Sequence, residues 1–466
     1  MPVTVPLRPA NASRPQDRLL LTIIFLCGFI LRSIVSWQSP KYDELYFIQH
    51  SIIGPWSDLL WGNYSPNNHI LYAVIAKLLY EMTGSAAPQL ARLPAELAGI
   101  WVAWLLAKPF WPSNRGTALL ILATGVSYPW LLAFSCDARG YSLMLALVIL
   151  ATLYLPQAQS RFSWRYMLAV VAAMMTLPIA VAPVIGHGIL TLTKGRPATL
   201  KWLLCASSAM FVSALLYLPQ FTGISQYWGG LHDTGEGFPL LQLLPYTGWH
   251  LIVGCQPGTA AWGWLMLLLA LAPLPLAWRL NMGRDIIISC AIAVILALIG
   301  ALAIPGGGQI RYLIWLVPIV ILSMAALARW LVPSHAPRWA YALAIPILLI
   351  WSALSLQVLR IPMQPIEDAV RAGYTRTRQD HRLLVGVGIA SIEAALQFGQ
   401  LDGVAYNLSQ LQEAENVSNR KIRLIAFDPD RLAQYDHDLW QHIQSDYQIE
   451  QRLPGRIADC EILSHR

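Results

Sequence analysis

Asp43 and Glu44 sit side by side in Tyr42-Asp43-Glu44, directly after the first long apolar run of the chain. A polar cluster, Asn63-Tyr64-Ser65-Pro66-Asn67-Asn68-His69, and then Leu71-Tyr72 follow closely. Carboxylates held against a membrane surface are costly unless water, a metal or a partner charge stabilises them. Two readings are open. Acids are favourable in the first turn of a helix and the pair can simply cap the one that follows. Alternatively Asp43 is a general base or metal ligand and Glu44 assists it, which requires an outward-facing cleft because a base must reach the proton it takes.

A second cluster is Ser135-Cys136-Asp137-Ala138-Arg139-Gly140-Tyr141-Ser142. It is either a tight turn with an exposed ion pair or a second acid and a guanidinium converging on Asp43. Asp43 and Asp137 in one pocket would hold a divalent cation (Mg, Mn or Zn) through hard oxygen ligands. An Arg there can grip a phosphate with two parallel hydrogen bonds. The third cluster, Pro305-Gly306-Gly307-Gly308-Gln309-Ile310-Arg311-Tyr312, allows close backbone approach to a ligand at its glycines. Arg311 then binds phosphate, or reaches lipid headgroups as interfacial arginines do. The same two readings apply to Arg32, with the headgroup reading slightly favoured. His69 binds substrate or metal, or is a satisfied interfacial histidine.

These residues need a scaffold. The 466 residues are 56% hydrophobic and only 12% charged, and mean hydropathy is +0.50. Soluble domains carry about a quarter charged residues, so the chain is expected to be a polytopic α-helical membrane protein. Apolar stretches of spanning length lie near 19–37, 88–107, 116–135, 140–157, 166–178, 179–193, 201–221, 258–278, 285–304, 312–331 and 339–359. With the tail 1–18 inside, inside loops carry fourteen Lys and Arg residues and outside loops, the long C-terminal tail left out, five (Lys41, Lys77, Arg92, Arg139, Arg311), the bias of the positive-inside rule. All three clusters then lie outside. Residues 66–83 are expected as an amphipathic surface helix within a first outer loop, 38–87. Residues 222–257, with Tyr227, Trp228, His232, Asp233, Glu236, Trp249 and His250, form a second outer loop able to close over a donor or acceptor. From 362 to 466 polar residues return. Leu383-Leu-Val-Gly-Val and Ile422-Arg-Leu-Ile-Ala-Phe look like buried strands and Ser391 to Phe398 like a helix, giving a small outer α/β domain after a membrane domain spanning 19–361.

Other features point away from chemistry. Gly386-Val-Gly388 follows a strand but lacks the third small residue and the later acid of a dinucleotide fingerprint. Asp428-Pro-Asp430 sits at a strand end where Asp-Pro marks a turn. Arg92 and Glu96 are four apart on a helix and can pair. The six cysteines show no metal spacing.

Four stretches, in order and on one side, make the chain resemble the membrane-integral C-type glycosyltransferases, among them the bacterial relatives of protein O-mannosyltransferases and of the lipid A aminoarabinose transferase. They are the Asp43-Glu44 pair, His69-Ile-Leu-Tyr72, the Ala91-Arg-Leu-Pro-Ala-Glu-Leu-Ala-Gly99 run and Asp137-Ala-Arg-Gly-Tyr-Ser142; Arg311-Tyr-Leu with Pro318 is a weaker fifth. Glu96 stands where a small residue is usual. The resemblance implies a polyprenyl-monophosphate sugar donor used on the non-cytoplasmic face of a bacterial inner membrane, and an inverting transfer to a lipid, glycan or protein acceptor. It implies Asp43 as the base, with divalent-cation use in some members. Asp137 and Glu44 would assist, and His69, Tyr72, Arg139, Tyr141, Arg311 and Tyr312 would bind substrate. No nucleotide motif is present, so an activated substrate used on that face would arrive through the bilayer. The competing readings are a transporter or flippase of lipid-linked saccharides and a non-catalytic scaffold presenting the outer domain.

Overall fold

A computed structural model of the chain describes residues 15–61, 69–221, 239–254, 259–303, 309–331, 337–359, 361–388, 390–419, 421–455 and 458–465. The membrane part runs α1 (Pro15–Ser36), α2 (Tyr42–Phe47) continued by a π-helical turn (Ile48–Ile53), α3 (Trp56–Trp61), α4 (Ile70–Thr83), α5 (Pro88–Ala107), α6 (Arg115–Ser127), α7 (Pro129–Ser135) and α8 (Tyr141–Ser160). It continues with α9 (Trp164–Thr176), α10 (Val181–Leu192), α11 (Arg196–Tyr217), α12 (Leu240–Val253), α13 (Ala260–Leu271), α14 (Leu274–Arg279), α15 (Arg284–Ala303), α16 (Leu316–Leu331) and α17 (Pro337–Leu359). Among the described residues six helices are long and apolar enough to cross a membrane, or seven if the bent pair α6–α7 is one span, and four further apolar helices are shorter. Each apolar stretch read from the sequence falls on one of these segments. The outward side chains of α1 (Leu19, Ile23, Leu26, Ile30, Ile34) are exposed and apolar, a stripe suited to lipid. Buried α6 and α8 form the centre of the bundle.

The break between α6 and α7 turns the chain by 57°. Pro129 causes it: proline has no N–H to donate and its ring clashes with the preceding turn, and Tyr128 before it is extended (ψ 120°). The carbonyls this frees must be satisfied inside the bilayer. Arg32 Nη1 donates to Val126 O at 2.8 Å and Ser355 Oγ donates to Ser127 O at 3.1 Å. Arg32 is fully buried and also donates to Gly28 O at 3.0 Å. Arg32 Nη1 therefore caps a broken helix, while its Nε and Nη2 have no hydrogen-bond partner among the described residues.

After α17 come α18 (Ile366–Asp380), β1 (Leu383–Val387), α19 (Ser391–Phe398), β2 (Gly403–Ala405), α20 (Leu408–Val417), β3 (Ile422–Phe427), α21 (Pro429–Tyr435), α22 (His437–Asp446), β4 (Tyr447–Leu453) and β5 (Cys460–His465). The sheet order is β2-β1-β3-β5-β4, parallel through β2-β1-β3 and antiparallel through β3-β5-β4. Side chains alternate along β3: Ile422, Leu424 and Ala426 pack with Leu411, Leu439 and Ile443, while Ile425 and Phe427 pack with α18 and α19. Leu45 of α2 joins that second core, which seats the sheet domain on the Asp43 segment. Gly388 (φ 99°) lies where a Cβ would stand 2.5 Å from Phe427 O, and Asp428 caps α21 by accepting from Arg431 N at 3.3 Å. Both are local structure.

Candidate active site

The site is built where the segment after α1 meets the α7–α8 turn. Glu44 joins them. Its Oε1 accepts from Arg92 Nε and from Ala138 N, both at 2.8 Å; its Oε2 accepts from Arg92 Nη2 at 2.7 Å and Lys41 N at 3.2 Å. Arg92 Nη1 donates onward to Ser36 O at 2.6 Å and Gln38 O at 2.9 Å. Burial pushes the Glu44 carboxyl up, but the Arg92 charge and hydrogen bonds outweigh it and hold the group below its ordinary value. With both oxygens engaged and only 3% of the residue exposed, Glu44 has nothing left for a reacting group. Its expected catalytic assistance is corrected to a positioning role.

Asp137 pairs with Lys41 Nζ. Burial raises its carboxyl above the ordinary range, against the pull of Lys41 and with the push of Glu44. Arg139 Nη1 reaches Asp43 Oδ2 at 3.3 Å, and the Arg139 guanidinium lies 5.8 Å from the Tyr141 ring centroid. Asp43 is the open member: its side chain is 35% exposed, that of Arg139 5%. Gly140 is required here, because a Cβ would lie 2.5 Å from Thr176 Cγ2 and 3.2 Å from His69 Nδ1.

His69 stacks edge-on against Tyr141 at 5.5 Å. It is 1% exposed, and neither ring nitrogen has a well-formed hydrogen bond among the described residues, though the Thr176 backbone is close. Burial, then Arg139 and Arg311, hold its pKa well below the usual value, so the ring is neutral. Arg311, in a short 3-10 turn before α16 with its guanidinium 5.8 Å from the Tyr312 ring, neighbours Tyr141, Arg139 and Asp43. The three clusters thus share one rim. A cleft with about 330 Å³ of empty space, open to solvent, is lined by Val35, Lys41, Glu44, Cys136, Asp137 and Met363 among others.

Tyr72 is a second correction. It is fully buried and its hydroxyl donates to Ala91 O at 2.6 Å, so it braces α4 on α5 instead of meeting substrate. Glu96 does not pair with Arg92; it accepts from Ser36 Oγ at 2.5 Å. Residues 240–253, expected as loop, form α12: Trp249 Nε1 donates to Thr259 O at 2.9 Å and His250 rests on Trp130 at 5.9 Å. Tyr227, Trp228, His232, Asp233, Glu236 and the glycines 306–308 lie outside the described residues. Lys41 and Arg92 went unnoticed as site residues. The signal for Lys41 was a lone cation beside two acids; for Arg92 the helical spacing to Glu96 pointed elsewhere.

The donor set does not fit a divalent cation at Asp43 and Asp137. Each carboxylate already faces a cation, Arg139 or Lys41, and no three His, Cys, Asp or Glu residues gather among the described residues.

No family model and no curated protein matches the sequence. Among solved structures, ArnT from Cupriavidus metallidurans bound to undecaprenyl phosphate aligns over 97% of this chain and 98% of its own, with a TM-score of 0.54 at 11% identity. Its apo state aligns over 96% and 97%, with a TM-score of 0.56 at 11% identity. The chain has the ArnT fold. At 11% identity the likeness is one of fold, and it runs over nearly the whole of both chains. Arabinosyltransferase EmbB from Mycobacterium smegmatis matches more loosely, over 76% of this chain and 39% of its own, with a TM-score of 0.39 at 13% identity. The ArnT match speaks to architecture; the chemistry rests on the side chains themselves.

Proposed function

We propose that this protein transfers a sugar from a polyprenyl-phosphate carrier to an acceptor hydroxyl, with inversion at the anomeric carbon, on the non-cytoplasmic face of a bacterial inner membrane. One observation carries the reading. The rim holds four cations, Lys41, Arg92, Arg139 and Arg311, against three carboxylates, Asp43, Glu44 and Asp137. Among the described residues Arg311 has no carboxylate of its own. A surplus positive charge at this rim suits a monophosphate, and undecaprenyl phosphate is the ligand bound in the ArnT structure.

Asp43, the exposed carboxylate, takes the acceptor's hydroxyl proton. The acceptor oxygen bonds to the anomeric carbon from the face opposite the phosphate, and the bond from that carbon to the phosphate oxygen breaks. Arg139 and Arg311 stabilise the negative charge that develops on the leaving phosphate, where preorganised donors are worth most. Neutral His69 supplies a hydrogen-bond donor or acceptor beside them, and Tyr141 and Tyr312 wall the site. Lys41, Asp137 and Glu44 hold the two loops in register.

Convergence of the loops after the first, third and ninth apolar segments supports an eleven-span arrangement. The loop charges then put the N-terminus in the cytoplasm and the sheet domain, 362–466, outside. The test is donor turnover by purified protein. Asp43→Asn is expected to abolish it and leave folding and undecaprenyl phosphate binding intact; full activity in that variant refutes the assignment. A flippase predicts no product in detergent, where no second compartment exists.

A further inference from the structure

We propose that the seam between α2 with its π-helical extension and α19 of the sheet domain is a saccharide subsite for the acceptor. This rests on the transferase reading above and names the acceptor's chemistry. Tyr42, Tyr46 and His50 are spaced four apart on one continuous helical segment, so they form a single stripe. Tyr42 and Tyr46 have ring centroids 6.2 Å apart, Tyr46 and His50 4.2 Å. The two tyrosines are half-buried and His50 is exposed. Facing them from the sheet domain is Glu393, only 5% exposed, with Tyr406 (47% exposed) beside it. Oε2 of Glu393 has no hydrogen-bond partner among the described residues.

A buried carboxylate oxygen without a partner is costly unless something donates to it. Nothing in the docking of the two parts requires it to stay so. Gln49 Nε2 donates to Gln397 Oε1 at 2.7 Å, Gln397 Nε2 donates to Ala86 O at 3.2 Å, and Leu45 enters the sheet-domain core. The seam is already fixed by those contacts. An aromatic stripe opposite a carboxylate oxygen that lacks a donor matches a pyranose, whose C–H face packs on rings and whose hydroxyls donate to acid oxygens. The stripe ends at Tyr42, and Asp43 is the next residue, so a glycan laid along it has one end beside the base.

The experiment uses the full-length protein in detergent with two uncharged disaccharides, N,N′-diacetylchitobiose and maltose, read by saturation-transfer NMR. At least one is expected to bind the wild type. Glu393→Gln and Tyr46→Ala should each weaken that binding about tenfold, while undecaprenyl phosphate binding stays within about twofold of wild type. Tyr406→Ala, an exposed position, guards against a folding defect at Glu393 and should weaken binding as well. Failure of both sugars to bind the wild type, or binding in Glu393→Gln and Tyr406→Ala equal to wild type, overturns the proposal. Because sugar binding needs no donor, that failure is separate from activity surviving in Asp43→Asn.

Discussion

Replacing Arg92 by Met tests the clamp that positions the base. Glu44 and Arg92 side chains are 4% and 3% exposed, and they meet through two hydrogen bonds of 2.8 and 2.7 Å. Arg92→Met leaves the Glu44 charge buried with only two backbone donors, Ala138 N and Lys41 N. Breaking a buried pair from one side costs about 3–5 kcal/mol, whereas removing both partners for apolar groups of similar volume is often near neutral. The expected pattern is a loss of about 3–5 kcal/mol in Arg92→Met and clearly less in Arg92→Met/Glu44→Leu. Denaturant titration in detergent, followed by intrinsic tryptophan fluorescence, measures both variants. Donor turnover should fall in both, because Glu44 Oε1 is one of the links from the Asp43 segment to the Asp137–Arg139 turn. A loss under about 1 kcal/mol in Arg92→Met, or a double variant less stable than Arg92→Met, refutes the argument that the pair is a buried clamp.

Arg311→Gln should weaken undecaprenyl phosphate binding about tenfold or more, the effect of removing one charge-assisted contact; isothermal titration giving wild-type affinity would count against the phosphate assignment. Glu44 contributes stability that is complete above its ordinary value of 4.5 and is lost as the pH falls through its lower folded value. His69 is depressed below its ordinary 6.5, so the unfolded chain binds its proton first and stability drops on acidification below that pH. The slope is about 1.4 kcal/mol per pH unit, and His69→Gln should flatten it between about pH 6.5 and 5 in unfolding titrations. Exhaustive EDTA treatment should leave turnover within about twofold; a loss restored by Mg²⁺, Mn²⁺ or Zn²⁺ would show that the Asp43–Asp137 donor set holds a cation after all. Arg32→Leu should lose about 2–3 kcal/mol by stranding Val126 O in the bundle, read by the same titration.

Much of the architecture was legible because its signals are local. Long apolar runs give helices whatever surrounds them, and β1, β3 and α19 declared themselves as short apolar segments between polar ones. The three chemical clusters were legible as residue types on one side of an alternating topology. What the sequence could not disclose is pairing across distance. Arg92 and Glu96 have ideal helical spacing, yet Arg92 turns to Glu44, 48 residues away, and Glu96 to Ser36, 60 residues away. Arg32 looks interfacial until Pro129 frees the carbonyl of Val126. Tyr72 sits in a motif beside His69, but His69 precedes the helix with non-helical backbone (ψ 81°), and the two side chains part, one to Ala91 O and the other to Tyr141. The segment 240–253 reads as loop because Pro245 and Gly248 weaken a helical pattern; Gly248 is there because its Cα meets Gly263 O, where a Cβ would clash at 1.9 Å.

The Asp43 segment is held from three sides by parts of the chain far apart in sequence. Ala138 N bonds Glu44 across 94 residues, and Gln364 Oε1 accepts from Tyr42 N at 2.7 Å across 322 residues. Ser39 Oγ accepts from Glu367 N at 2.8 Å across 328. Closing a loop of that length costs only a little more than closing a short one, because the entropy grows with the logarithm of length. What the long connection changes is order: the rim is complete only once the last hundred or so residues have folded onto it. A base exposed in water gains nothing from such restraint for stability. It gains a fixed position relative to Arg139 and Arg311, and misplacement of a reacting group by about 1 Å can cost two orders of magnitude in rate. On the proposed mechanism, the sheet domain's grip on residues 39, 42 and 45 serves the placement of Asp43 as much as the fold.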